Sequence, residues 1–203
     1  MNQPLLLLLM TAAGLYVGRL WLDDLRAARG GAPNPQAWPG ATPAAPPAVG
    51  IAVAGALALL AGETFFEDRL GLAGQQSRMT ALFAVYSIGA APIVEELIFR
   101  GWLVIEGRGR AALWAGAAGA SLLFAALHPL LWRWDDAGFA FTPTSKGWFS
   151  SAAIFAGSLW FYAARLARWN PSRSLLPCFA AHAAKNLGVV AVKAAAGFVA
   201  GWW

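Results

Sequence analysis

Cysteine is almost absent from this chain, which contains only Cys178. A single cysteine cannot form an internal disulfide, and without a second thiolate nearby it does not indicate a zinc site. A nucleophilic cysteine needs a lowered pKa, and no neighbour in the sequence supplies a cause for one. We therefore expect Cys178 to be a packing residue.

Charged side chains are also scarce. They make up 12% of the residues, whereas 59% are hydrophobic and the mean hydropathy is +0.54. Since roughly a quarter of the residues in soluble domains are charged, this composition indicates a protein whose outward faces are covered by lipid. The net charge of +5 does not indicate nucleic acid as a partner, because the basic residues lie at the ends of apolar runs.

Six apolar runs come close to the roughly 20 residues that a helix needs to cross a bilayer. They lie near residues 4–22, 48–66, 79–104, 111–132, 148–168 and 175–201. These runs predict an all-α fold, a polytopic membrane bundle of about six transmembrane helices. The first run lacks the basic start of a signal peptide, so we interpret it as a retained anchor helix.

The segments between the runs suggest a division of the chain. Residues 28–47 hold six of the twelve prolines, a composition typical of a linker. We therefore divide the chain into an N-terminal anchor helix with its linker, residues 1–47, and a membrane helical domain, residues 48–203. Residues 67–78 predict an interfacial connection, and residues 133–147 predict a long loop flanked by tryptophans, which favour membrane interfaces.

Lysine and arginine are divided unequally between the two sides of the predicted bundle. Seven lie on one side, after the first, third and fifth helices, and four lie on the other, which favours both termini outside. The first set is Arg26, Arg29, Arg108, Arg110, Arg165, Arg168 and Arg173, and the second is Arg69, Arg78, Arg133 and Lys146.

Ionisable residues inside spanning segments are costly to bury, and they indicate a functional site. The third run contains Glu95, Glu96 and Arg100, and both histidines of the chain, His128 and His182, lie in the fourth and sixth runs. Glu96 precedes Arg100 by four residues, the favourable order for a helical ion pair. Glu95 is rotated by about 100° from Glu96 and can face a different neighbour, which leaves one carboxylate for chemistry.

Two further pairs share helix faces at a spacing of four residues, Phe124 with His128 and His182 with Asn186. Peptide hydrolysis requires an activated water, a stabilised oxyanion and a proton for the leaving amine. A carboxylate and an imidazole that hold one water supply the first and the third. A second imidazole and a carboxamide on another helix can donate hydrogen bonds to the oxyanion.

The expected depths of these groups differ. From the rise per residue, Glu95 lies ~18 Å and His128 ~28 Å from the loop at 107–109, and His182 lies ~11 Å from the start of its helix. The three groups converge only if the helices tilt, if their ends are shifted, or if the third helix is kinked near Pro92.

The polar residues form three motifs in order along the chain: Glu95-Glu96-Leu97-Ile98-Phe99-Arg100, Phe124-Ala125-Ala126-Leu127-His128 and His182-Ala183-Ala184-Lys185-Asn186. They resemble the EExxxR, FxxxH and HxxxN patterns of the CPBP family, the CAAX proteases and bacteriocin-processing proteins also called Abi. The resemblance covers roughly residues 79–195.

This resemblance implies a glutamic-type intramembrane endopeptidase without a metal or other cofactor, acting on membrane proteins or peptides or on C-terminally tagged ones. It implies that Glu95 and His128 activate the water and that His182 and Asn186 form the oxyanion site. It assigns supporting roles to Glu96 and Arg100 beside Glu95, and Phe124 belongs to the second motif. A short chain of this kind is typical of the bacterial inner membrane.

Three alternatives stay open. A zinc-dependent membrane protease is the nearest, although the usual helical H-E-x-x-H motif is absent. A serine protease would need Ser121, which we expect to be a small packing residue because the glycine that follows the rhomboid-type serine is missing. A bacteriocin-immunity or transport protein would use the same polar cluster for binding alone.

Overall fold

The computed structural model describes residues 3–202 as a helical bundle. Its helices are α1 (Pro4–Arg29), α2 (Pro46–Arg69), α3 (Ala81–Gly89), α4 (Ala91–Glu96), α5 (Gly109–Leu127), α6 (Ser145–Leu166) and α7 (Leu176–Ala195). A 3-10 turn, Ala73–Gln75, precedes α3, and a π-helical turn, Leu97–Trp102, follows α4. Met1, Asn2 and Trp203, which belong to the two predicted terminal segments, lie outside the described residues.

The all-α membrane bundle is confirmed. Four segments are long and apolar enough to cross a membrane by length and composition: Pro4–Arg29, Pro46–Arg69, Ala81–Trp102 and Gly109–Leu127. The helices α6 and α7 complete the bundle without meeting this criterion. The protein is therefore an integral membrane protein.

The third predicted helix is interrupted rather than straight. It divides at Ala90 into α3 and α4, and Pro92 lies in the first turn of α4. Proline has no N–H to donate and its ring clashes with the carbonyl four residues earlier, so a helix breaks before it. The π-helical turn then carries Arg100.

The fourth predicted helix ends earlier than we expected. α5 stops at Leu127, and His128 has an extended backbone (φ −78°, ψ 126°). The next residue is Pro129, which disfavours the helical conformation of the residue before it. The prediction that His128 lies within a helix is therefore wrong, because His128 caps the end of α5.

The predicted loop 133–147 contains a small antiparallel hairpin, β1 (Trp132–Asp135) and β2 (Gly138–Phe141). Its turn is stabilised by the Asp135 carboxylate, which accepts a hydrogen bond from the Ala137 N–H at 3.0 Å. Gly138 has a φ of +96°, a conformation that side chains disfavour. Alternating aromatic residues on both sides of this turn were the available signal for strands.

Helix α7 packs mainly on α2, α5 packs on α6, and α1 packs on α3 and α4. The core includes Trp21, Leu97, Phe161 and Leu175. The proline-rich segment is irregular, as expected, but it is held to this core. The Trp21 indole donates to the Pro39 carbonyl at 3.1 Å.

The connections between helices gather at two ends. At one end Arg173 forms an ion pair with Glu106 at 2.8 Å, and the Leu175 N–H donates to the Gly40 carbonyl at 3.0 Å. At the other end Lys193 donates to the Ser77 carbonyl at 2.6 Å. The connections after α1, the π-helical turn and α6 therefore share one end, as the charge count assumed.

Substitution of Gly55 by leucine is expected to destabilise the contact between α2 and α6. A Cβ at this position would overlap the indole of Trp160, whose N–H donates to the Ala52 carbonyl at 2.8 Å. Overpacking of this kind costs about 1–3 kcal/mol. Thermal unfolding of the purified protein in detergent should show a lower midpoint for Gly55→Leu. Gly62→Leu is the matched control on the same helix, because nothing lies within 4 Å of its Cβ position. Equal midpoints for the two variants would contradict this packing.

Candidate active site

A cavity of about 270 Å³ lies inside the bundle, bordered by α2, α3, α4, α5, α6 and α7. Its lining includes Glu95, His128, His182 and Asn186, the four predicted catalytic residues, together with Phe124. Glu96 and Arg100 are fully buried. The structure thus brings all three sequence motifs to one place.

The difference in expected depth arose from treating the helices as straight and continuous. The segment that carries Glu95 is interrupted at Ala90, and α5 ends one residue before His128. Neither residue lies on the ideal helix that the rise per residue assumed. Both side chains therefore border one cavity although their sequence positions suggested different depths.

Behind this cavity, Arg100 and Glu96 form a buried ion pair. The Arg100 Nη1 lies 3.1 Å from the Glu96 Oε1, and both side chains have 0% exposure. The Arg100 Nη2 donates to the Ser158 carbonyl at 3.0 Å and to the Ser158 hydroxyl at 2.5 Å. The Ser158 hydroxyl in turn donates to the Ser121 hydroxyl at 2.9 Å. The pair thus joins α4 and the π-helical turn to α6 and α5.

Aromatic rings surround the Arg100 guanidinium. Its central carbon lies 4.8 Å from the ring centroid of Phe124, 5.0 Å from that of Tyr162 and 5.3 Å from that of Phe161. A desolvated cation is attracted to the negative face of an aromatic ring. Phe124, the first residue of the FxxxH motif, therefore contacts the arginine of the first motif.

His182 lies between the two glutamates. Its Nδ1 is 2.7 Å from the Glu96 Oε1, its Nε2 is 3.7 Å from the Glu95 Oε2, and its ring stacks on Phe161 with centroids 4.8 Å apart. A carboxylate at one ring nitrogen fixes the orientation of the imidazole. The resemblance gave Glu96 a supporting role beside Glu95, and in the structure Glu96 contacts His182, whose Nε2 faces Glu95.

His128 and Asn186 are each held by a backbone carbonyl. The His128 Nδ1 lies 2.8 Å from the Phe124 carbonyl oxygen, which leaves Nε2 as the other ring nitrogen for chemistry. The Asn186 carboxamide donates to the Ser87 carbonyl at 2.7 Å. A carboxamide has two N–H groups, so Asn186 keeps a second donor.

Sequence reasoning missed an ion pair in the lining of the cavity. The Lys185 Nζ lies 2.9 Å from the Glu63 Oε2, and the two side chains are 12% and 19% exposed. Glu63 lies within the second apolar run, so an ionisable residue in a predicted span was the available signal. Lys185 belongs to the third motif, but its spacing gave it no partner.

Removal of one member of the buried pair is expected to destabilise the protein strongly. Arg100→Met leaves the Glu96 carboxylate without its arginine, and uncompensated buried charges cost about 3–5 kcal/mol. Unfolding of the purified protein in detergent should show this loss. The double variant Glu96→Gln/Arg100→Met should be more stable than Arg100→Met alone, because it removes both charges. A double variant whose loss equals the sum of the single losses would contradict the coupling.

Comparison with known proteins identifies the family. A family model described as type II CAAX prenyl endopeptidase Rce1-like matches residues 77–188, a range that contains all three motifs. No curated protein and no solved structure matches the chain. The match spans more than half of the chain and confirms the resemblance drawn from the motifs. The chain therefore belongs to the Rce1-like family of type II CAAX prenyl endopeptidases and is, at that level, an intramembrane protease.

Proposed function

We propose that this protein is a glutamic-type intramembrane endopeptidase in which Glu95 and His128 activate a water molecule for peptide hydrolysis. The observation that carries the proposal is the cavity in which one glutamate, two histidines and a carboxamide meet. Its substrate is a membrane-associated or C-terminally tagged protein or peptide, and its location is the bacterial inner membrane. Both are parts of the proposal.

Burial distinguishes the two adjacent glutamates. The Glu96 side chain is 0% exposed and is held by Arg100 and His182, whereas the Glu95 side chain is 29% exposed. A general base must reach the water that it deprotonates. Glu95 meets this condition, and Glu96 serves as a positioning residue.

The distance between Glu95 and His182 suits a bridging water. At 3.7 Å the Glu95 Oε2 and the His182 Nε2 are too far apart for a direct hydrogen bond. A water between two such groups can hydrogen-bond to both. His182 thus helps to place the water, in addition to the oxyanion role that its motif implies.

The reaction then follows from these positions. Glu95, assisted by His128, takes a proton from the water as its oxygen bonds to the substrate carbonyl carbon. His182 donates from Nε2, with one ring proton on Nδ1 against Glu96 and a second on Nε2, and the second N–H of Asn186 donates as well, so that both stabilise the oxyanion that forms. The carbon–nitrogen bond breaks as the stored proton passes to the leaving amine, which yields a carboxylic acid and an amine.

Glu95→Gln is expected to reduce peptide cleavage at least about 100-fold, because a carboxamide cannot accept the proton of the water. The membrane and secreted peptides of cells with the intact protein and with the variant should be compared by mass spectrometry. Asp23→Asn is the control for the same chemical change, since Asp23 is exposed on α1 and its ion pair within residues 3–202 is with the exposed Arg26. Unchanged peptide processing in cells with Glu95→Gln would contradict the hydrolase proposal and favour a binding or immunity function.

The alternative mechanisms predict different results. In residues 3–202 no three His, Cys, Asp or Glu side chains are grouped so that they could hold a metal ion. Ser121 is 0% exposed and is not part of the cavity lining. We expect activity to persist after chelation of divalent metals. We expect Ser121→Ala to lower the free energy of unfolding by about 1 kcal/mol, because one hydrogen bond is lost, while cleavage continues. Loss of cleavage after chelation, restored by zinc, would establish the zinc-dependent alternative, and loss in Ser121→Ala alone would establish a serine mechanism.

A further inference from the structure

A second cavity, of about 660 Å³, lies at the end of the bundle where the connections before α5 and after α6 meet. Its lining comes from residues 105–114 and 163–173, and it shares no residue with the proposed active site. Three of the seven arginines that the charge count assigns to this side of the bundle, Arg110, Arg168 and Arg173, line the cavity. The cavity therefore combines a large volume with a basic surrounding.

Positive charge is in excess around this cavity. Its lining contains Arg110, Arg168 and Arg173 but one acidic residue, Glu106, which is paired with Arg173 at 2.8 Å. The described part of the chain offers Arg110 and Arg168 no carboxylate partner. Two guanidinium groups at one cavity rim match the chemistry of a phosphate, which accepts several charge-assisted hydrogen bonds.

The rest of the lining is apolar. Ile105, Leu113, Trp114 and Leu166 form this part of the wall, and the Trp114 side chain is exposed. Tryptophan side chains favour the level of the lipid headgroups. An apolar wall beside a cationic rim fits a molecule with an anionic head and a hydrocarbon body rather than a free anion.

The backbone at the start of α5 adds to this chemistry. The helix has no acidic residue in its first turn, and its N-cap residue, Arg108, makes no side-chain capping bond. The first N–H groups of such a helix are left to other acceptors, and the helix dipole favours an anion there. Because α5 is long and apolar enough to cross a membrane, we expect its first turn near the level of the phospholipid headgroups.

We propose that this cavity binds the headgroup of an anionic phospholipid, with Arg110 and Arg168 contacting its phosphate and Leu113 and Leu166 contacting its hydrocarbon part. The site does not depend on the proposed proteolysis. Basic pockets at the cytoplasmic ends of membrane helices recognise anionic headgroups in this way. A bound lipid would hold together the connection before α5, which carries Glu106, and the connection after α6, which carries Arg173.

The test is a lipid titration of the purified full-length protein in detergent, followed by native mass spectrometry. Phosphatidylglycerol should bind more tightly than phosphatidylcholine with the same acyl chains, and inorganic phosphate should not compete at equal concentration. Arg110→Gln/Arg168→Gln should weaken phosphatidylglycerol binding roughly 30-fold, since two basic contacts are lost. The affinity of Arg168→Gln alone for phosphatidylglycerol should lie between those of the unaltered protein and the double variant.

The matched control removes the same charge from the same end of the bundle. Arg26 and Arg29, at the end of α1, are exposed there but do not line the cavity, so Arg26→Gln/Arg29→Gln should bind phosphatidylglycerol like the unaltered protein. Equal weakening in both double variants would show that diffuse surface charge attracts the lipid, and the proposed site would be wrong. Equal binding of the two lipids, or displacement by inorganic phosphate, would overturn it as well. Thermal unfolding of each variant shows whether a loss of binding reflects a loss of fold.

Discussion

The arrangement of the bundle depends on one buried cation, the guanidinium of Arg100. It contacts Glu96 on α4, Ser158 on α6 and the ring of Phe124 on α5, all at 0–5% exposure. A charge in such surroundings is tolerated only where its partners are fixed. The polar network is thus better understood as a constraint on how helical segments meet than as a source of net stability. His182 of α7 joins it through Glu96, so the network links five helical segments.

This constraint gives two adjacent glutamates different environments. The Glu96 carboxylate contacts Arg100 and His182 within the bundle. Glu95 faces the cavity, and in the described part of the chain no cation lies within hydrogen-bond distance of it. Two carboxylates in neighbouring positions can serve different purposes when the environment separates them. The same contact aims the His182 ring at Glu95, which makes the structural pair part of the proposed chemistry.

How much the sequence could predict depended on how far apart the interacting residues lie along the chain. Apolar length predicted the membrane helices, and a spacing of four residues predicted the Glu96 and Arg100 pair, because both are local properties. The end of α5 at His128 was also local, since Pro129 follows, but the helical pattern of apolar residues masked it. The contact of His182 with Glu96 joins residues far apart in sequence, and it depends on how α7 packs. No spacing rule contains that information.

The distribution of charge separates the interior of this bundle from one of its ends. Inside the bundle Glu63 is paired with Lys185 and Glu96 with Arg100, and at the opposite end Glu67 is paired with Lys146. Glu95, which faces the cavity, is the exception. The end that carries α5's first turn instead has more arginines than acids around its cavity. Desolvation explains the difference, because an unmatched charge is costly inside the bundle and inexpensive beside lipid headgroups. The excess of arginines behind the net charge of +5 therefore lies mainly at the end where a membrane helix meets the lipid headgroups, and the charges inside the bundle are mostly paired.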